Sequence, residues 1–312
     1  KGETMRIIEP SFHIMDELDR ASAATRLEAC GRVCYKSEDK IGDDSAIPFV
    51  TRIAAHGHNS VLEMAVVSYR LRCREDDVAA LLACQPRFLV IDREEGGLLV
   101  TASMRAYREI FAAHGDNSLL SLLRGDLRAT CPYLFAAGEG EGSASPAADH
   151  VDLRRLSLNE VDELPEELRL RHRFVAVRFI VNRAVTHELV RHRPCSFLQE
   201  SQRYCRYSED KFGSEVTFIK PMFFAEGSAE YRLWQGAMEE TEKIYFRLLE
   251  TSTPQAARTV LPNSCKTEII VFCNLVEWRH IFALRTTPAA EPSMREIMIP
   301  LQKEMERRYR IR

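Results

Sequence analysis

Pro194 is the residue that most constrains the fold of this chain. It follows a helix that reads from Asn182 through Val190, behind Phe174 to Val181, a β-branched and aromatic stretch that reads as a strand. Asn182 offers a capping oxygen to that helix. Pro194 disfavours any helical continuation past Arg193, because proline lacks an N–H and disfavours helical geometry at the residue before it. Residues 194 to 203 are therefore expected to form a loop carried on a rigid strand–helix unit. Within Arg191 to Arg203 stand Arg191, Arg193 and Arg203, with Gln199, Ser196 and Ser201 between them. Guanidinium forks at this density suit a phosphate or a planar base edge better than lysines would.

That clustering is local. The 312 residues carry 43 Lys and Arg against 46 Asp and Glu, a formal charge of -3, so a general binder of nucleic acid or anionic membrane is disfavoured. No apolar run is long enough to span a bilayer, and the N-terminus lacks a charged-then-apolar leader pattern, so a cytoplasmic location is expected. Lys1 to Thr4 precede Met5 and are left out of the fold reading. The nine cysteines, at 30, 34, 73, 84, 131, 195, 205, 265 and 273, read as reduced thiols. Cys-x-x-Cys spacing is absent, and His56 and His58 lack a recognisable third ligand, so no metal is expected.

In order, Met5 to Ile8 reads as a strand, Asp16 to Cys34 and Ile47 to His56 as helices, with Gly57 a stop, and Val61 to Leu71 as a strand. The strand pattern that breaks off at Leu71 resumes at Phe174, which predicts an inserted module over 72–173. Inside it, Asp76 to Cys84, Met104 to Ala113 and Leu119 to Leu123 pattern as helices, and Arg87 to Asp92 with Gly97 to Thr101 as a hairpin. The segment Ala136 to Ala148 is Gly-, Ser- and Glu-rich and reads as a flexible loop. Ala229 to Glu250 patterns as a long helix with Leu233, Met238, Ile244 and Leu248 among its apolar positions. A shorter helix opens at Thr253-Pro254, Glu268 to Phe272 is strand-like, Leu275 to Ala283 helical, and Met294 to Arg308 a closing helix. Tyr69, Phe174 and Phe179 are expected in the core. The fold class expected is α/β (α+β), a mixed sheet flanked by helices.

An internal control tests the arginine motif. Arg171, His172 and Arg173 repeat the tripeptide of 191–193 without later hydroxyls or a third Arg, and are expected at the surface. The longer pattern Arg-His-Arg-x-x-Ser-x-x-x-x-Ser-x-Arg over 191–203 is far more demanding, and it closely resembles the signature of flavin-dependent thymidylate synthases. His56 to Glu63 resembles that family's early flavin-contacting segment, and Thr186 to Val190 leads into the signature. Arg203, Tyr204, Cys205, Arg206, Tyr207 and Ser208 close it. Ala257 to Pro262 resembles the later phosphate-binding helix, and Asn274 to Arg285 the flavin- and base-contacting segment.

The resemblance implies methylation of dUMP to dTMP with 5,10-methylenetetrahydrofolate as carbon donor and reduced FAD, renewed by NADPH, as hydride donor. It implies a homotetramer with FAD at subunit interfaces, and no nucleic-acid or membrane partner. Glu188, Arg191, Gln199, Glu200, Ser201, Arg203, Arg258 and Arg285 would contact dUMP. Arg285 would be catalytic, stabilising negative charge that builds in the uracil ring. Ser60, Glu63, Arg191, His192, Arg193, Gln199, Asn274 and His280 would hold FAD. Cys195 and Ser201 are not expected to act as nucleophiles, since neither has a dedicated base in view. Met64, Leu198, Ala289 and Glu291 depart from the family pattern, the first and the last pair at positions near flavin or folate handling. The alternatives are a uridine-nucleotide flavoprotein lacking methyl transfer and an RNA-contacting module.

Overall fold

In a computed structural model, residues 5–135, 150–203 and 215–311 are described. Helix and strand are mixed, as expected, and the strands fall into three sheets. The central one has the order β2-β7-β10-β8, built from Ser11–Ile14 (β2), Phe174–Asn182 (β7), Ser196–Gln199 (β8) and Lys266–Asn274 (β10), with every pair antiparallel. Its two faces follow the period of two that a pleated strand imposes. Val175, Val177, Phe179, Ile269, Val271 and Cys273 pack with Leu189, Trp278, Met294 and Leu301 on one face. Ala176, Leu198, Ile270 and Phe272 face the other way, into a core shared with Leu27, Cys30 and Leu62.

Helices cover both faces. Ala23–Tyr35 (α1) starts where Ser22 Oγ accepts from the Thr25 amide at 3.1 Å, seven residues later than the periodicity predicts. The residues before it form the strand β2, which the sequence reading passed over, and a single 3-10 turn at Asp16–Leu18. Ala46–Ala55 (α2) ends before Gly57, whose φ of 72° is the left-handed conformation that glycine adopts without strain. Arg183–Leu189 (α8) is capped by Asn182, Leu275–Arg285 (α11) by Asn274, and Pro292–Tyr309 (α12) by Glu291.

The second sheet, order β4-β5-β3-β6, joins Val66–Arg72 (β3) to Val90–Glu94 (β4), Gly97–Ser103 (β5) and Asp152–Arg155 (β6), all antiparallel. So β3 shares a sheet with strands of the 72–173 segment and does not continue into β7, which lies in the central sheet. Glu75–Ala83 (α3), Met104–Ala113 (α4) and Ser118–Thr130 (α5) cover one face, where Tyr69, Leu71, Val100 and Tyr107 are buried together. The parallel pair Arg6–Ile8 (β1) and Thr217–Ile219 (β9) packs with Ala229–Thr251 (α9). The flexible-loop reading of 136–148 falls wholly outside the described residues.

Three expectations are overturned. Arg171 to Arg173 is not a surface tripeptide, because it ends the helix Glu166–His172 (α7) with His172 and Arg173 buried. His172 accepts and donates between Thr101 and Asp92, while Arg173 is held by Asp19 and Asp162, so these groups are satisfied by partners distant in sequence. Val61 to Met64 forms a 3-10 turn before β3 begins, with Val61, Leu62 and Met64 in the core and only Glu63 turned outward. On α9, Leu233 is 78% exposed and Ile244 is exposed too, while Met238 is buried as expected beside Tyr231, Tyr245 and Leu249.

Candidate functional site

The arginine-rich stretch is not a free loop. After α8 the amides of Arg191 and His192 bond back to the Glu188 and Leu189 carbonyls, and the chain then turns through a cis Arg193–Pro194 bond. Residues 196–199 then join β10 as strand β8, with Leu198 opposite Ile270, since apolar Phe197 and Leu198 fit the two faces of a sheet edge. Beyond it the Glu200 amide donates to the Glu268 carbonyl at 2.8 Å and the Ser201 amide to the Cys34 carbonyl at 3.1 Å. The stretch is thus pinned at both ends.

α11 brings the second half of the site. Asn274 at the end of β10 caps it, and the helix places Glu277, His280 and Arg285 toward the turn after α8. Arg285 Nε donates to His192 Nε2 at 2.9 Å, Nη1 donates to Glu188 Oε2 at 2.5 Å, and Nη2 reaches the Glu188 carbonyl at 3.4 Å. Three contacts on a planar fork fix its orientation. Burial, then the positive Arg285, then His280, hold the His192 imidazole down at about 4, so it is neutral at pH 7 and accepts from Arg285. Nε2 being the acceptor, the ring proton sits on Nδ1.

Glu277 is a member of this group that the sequence reading missed. It is 8% exposed, its Oε1 has no hydrogen-bond partner among the described residues, and burial raises its carboxyl above the usual range. Ligand atoms of His192, Glu277 and His280 lie within 4.8 Å of one another, the geometry of a three-donor cluster. The guanidinium bonded to His192 works against a cation there. The only earlier signal was Glu277 spaced three residues before His280 on the helix.

The expected nucleotide residues behave differently from one another. Glu188 and Arg285 are brought together. Gln199 Nε2 is spent on the Thr186 and Thr267 hydroxyls at 3.1 and 3.2 Å. The Glu200 carboxylate is buried and accepts from Lys266 Nζ at 2.9 Å, so its side chain is engaged within the fold. Arg203 N donates to Ser201 Oγ at 3.3 Å, closing the turn at the end of the stretch. Arg258 lies on a separate 3-10 turn after Pro254–Ala257 (α10), with no hydrogen bond to the signature among the described residues. Tyr204 to Ser208 lie outside the described residues.

Among the expected flavin contacts, Arg191, Arg193 and His280 are exposed, and neither arginine has a carboxylate at ion-pair distance among the described residues. His192 is 4% exposed and turned to Arg285, which makes it a support for that guanidinium. Asn274 spends both ends of its amide, accepting from Glu277 N and donating to the Arg171 carbonyl, each at 3.0 Å. Glu63 is paired with Arg105 at 2.6 Å, and Ser60 opens the 3-10 turn. His56 and His58 bond to the Arg52 carbonyl and Tyr35. Of the departing residues, Met64 and Leu198 are core, Glu291 caps α12, and Ala289 is exposed.

Beneath the signature lies a charge network also missed from sequence. Glu268 accepts from Lys36, Arg178 and Lys266, and Lys266 bridges to Glu200. Burial alone would raise the Glu268 carboxyl, but Lys266, Lys36 and Arg178 outweigh it and bring it to about 2. The legible signal was Lys266 and Glu268 two apart on an otherwise apolar strand, which places both on one face.

The pattern of the thymidylate synthase complementing protein family matches residues 169–309, the span that holds α8, the signature and α11. The flavin-dependent thymidylate synthase of Pyrococcus furiosus is 35% identical over 167 residues, which cover 51% of this chain and 68% of that protein. The chain belongs to the flavin-dependent thymidylate synthase family. The homologue of that name from Pyrococcus abyssi is 36% identical over 132 residues, 42% of this chain and 53% of that protein, so the match spans little more than half of the latter's length. A UMP/dUMP methylase, PolB of Streptomyces cacaoi, solved with 5-Br dUMP, aligns at 21% identity with a TM-score of 0.37 over 45% of this chain and 68% of its own. Family membership thus rests on sequence, and it falls on the segments that meet at Arg285.

Proposed function

We propose that this protein methylates dUMP to dTMP, with 5,10-methylenetetrahydrofolate as carbon donor and reduced FAD, renewed by NADPH, as hydride donor. The observation that carries the reading is Arg285, fixed by Glu188 and neutral His192 at the meeting of the signature and α11. A guanidinium held in this way stabilises negative charge as it grows on a uracil oxygen, and the fixed fork spares reorganisation at that moment. Arg191, Ser201 and Arg203 would bind the nucleotide phosphate and sugar, joined by Arg258.

Arg191, Arg193, His280 and Ser60 would hold FAD, whose reduced form supplies the hydride. The donor set suits it, since two exposed guanidinium groups without acidic partners among the described residues match a diphosphate. The assembly would be a homotetramer with FAD between subunits, and residues 72–173 would be an insertion in the family domain. Cys195 takes no part: its thiol lies against that of buried Cys273, with no base beside it among the described residues.

Anaerobic incubation with 5-tritiated dUMP, methylenetetrahydrofolate, FAD and NADPH tests the reading. Tritium release with dTMP formation is expected. Flavin-loaded protein that binds dUMP and oxidises NADPH without forming dTMP would replace it with a uridine-nucleotide oxidoreductase.

A further inference from the structure

Residues 72–173 hold a cavity that the proposed chemistry leaves unused. It has a volume of about 480 Å³ and lies between α4 and α5, within the range of small-molecule sites. Arg105, Arg108 and Arg124 line it together with the rings of Phe111 and Phe135, and Asn59 closes one side. Asn59 immediately precedes the Ser60–Met64 turn, so the cavity opens beside the segment assigned to flavin contact.

The three arginines are not equally free. Arg105 is committed, donating to Glu63 and Glu109 at 2.6 Å each. Arg108 and Arg124 have no carboxylate at ion-pair distance among the described residues, and Arg108 Nη1 is buried with no hydrogen-bond partner among them. A buried N–H without an acceptor is an unfavourable arrangement, and among the described residues no acid holds the rest of the Arg108 fork beside the cavity. With Glu63 and Glu109 set against the three arginines, one net positive charge remains. Aromatic walls beside two uncommitted forks select a ligand that is flat at one end and anionic at the other.

We propose that this cavity binds a planar aromatic ligand with an anionic end. The chemistry is met by a pterin carrying a glutamate and by an adenosine carrying a 2′-phosphate. The choice of these two rests on the proposed function, in which one belongs to the carbon donor and the other to the reductant; the cavity itself does not. Its place next to the 56–63 turn would set either ligand beside the flavin.

The test is calorimetric titration of the intact protein with folic acid and, separately, with adenosine 2′,5′-bisphosphate, both with saturating dUMP present to occupy the nucleotide clamp. Saturable binding of one probe is expected, weakened at least tenfold in Arg108→Gln and in Arg124→Gln, with dUMP affinity unchanged. Folic acid binding assigns the pterin, and bisphosphate binding the reductant. Should Arg108→Gln melt early, Arg124→Gln decides alone, as its side chain is only half-buried. Failure of both probes to bind, or binding that survives in the double variant, overturns the proposal. Failure of dUMP to bind would instead count against the proposed function and leave the probe result standing.

Discussion

Arg285 and His192 are 93 residues apart in sequence and 2.9 Å apart in space, and the imidazole accepts where the guanidinium donates. Each sets the state of the other. The positive charge keeps His192 neutral, and the neutral ring keeps Arg285 aimed. The signature and α11 therefore act as one unit.

The pH behaviour of His192 follows. Its folded value of about 4 lies below the ordinary 6.5, so the unfolded chain binds the proton more readily. The stability it contributes is complete above pH 6.5 and drains away as the pH falls from there toward 4. His172, lowered first by burial, adds to the same slope. Proton NMR should place the His192 midpoint near 4, and in Arg285→Gln it should rise part of the way back, because burial, the larger cause, remains. A midpoint near 6.5 in the parent protein would contradict the contact.

Arg285→Lys separates charge from geometry. Lysine keeps the positive charge but cannot span Glu188 and His192 at once. The turnover number should fall about 10²- to 10³-fold, the usual cost of losing an oriented donor. Equilibrium dialysis should show dUMP affinity falling by about tenfold or less, since the phosphate contacts remain. Glu188→Gln retains an acceptor for Arg285 and should cost much less.

Much of this was legible in the sequence. Asn182 caps α8, the helix stops near Val190 as read, and Asn274 to Arg285 carries the family spacing, all of which are local signals. What was not legible depended on partners far along the chain. Arg173 looks like a surface residue until Asp19 and Asp162 arrive, and Glu200 looks like a ligand contact until Lys266 takes its carboxylate. Leu233 fits a helical stripe that the rest of the fold does not cover. Periodicity reports the face of an element and says nothing of what will meet it.

The charge network beneath the signature should govern acid stability. The Glu268 carboxyl, at about 2 when folded against an ordinary 4.5, contributes stability that is whole above pH 4.5 and lost as the pH falls toward 2. Glu268→Gln removes the negative charge that Lys36, Arg178 and Lys266 share, and stranding buried charge costs about 3–5 kcal/mol. Urea unfolding should show a loss at the lower end of that range, because Arg178 is 30% exposed. Glu200 and Ser201 hang from the same region through the Glu268 carbonyl and Lys266. The variant's dUMP affinity should therefore fall as well.

Cys195 offers the sharpest separation from enzymes that attack the pyrimidine with a thiol. It follows Pro194 in the heart of the signature, yet its thiol lies against that of Cys273, which burial first and then the bond to Cys195 push well above the ordinary thiol range. Burial holds the Cys273 thiol protonated, so it cannot act as a base for Cys195. Cys195→Ala should leave the rate of dTMP formation within about threefold of the parent, an effect of packing alone. Mass spectrometry of protein quenched during turnover should find no pyrimidine adduct at this residue. A loss of activity beyond about a hundredfold, with flavin and dUMP still bound, would place a nucleophile at Cys195 and move the chemistry away from Arg285.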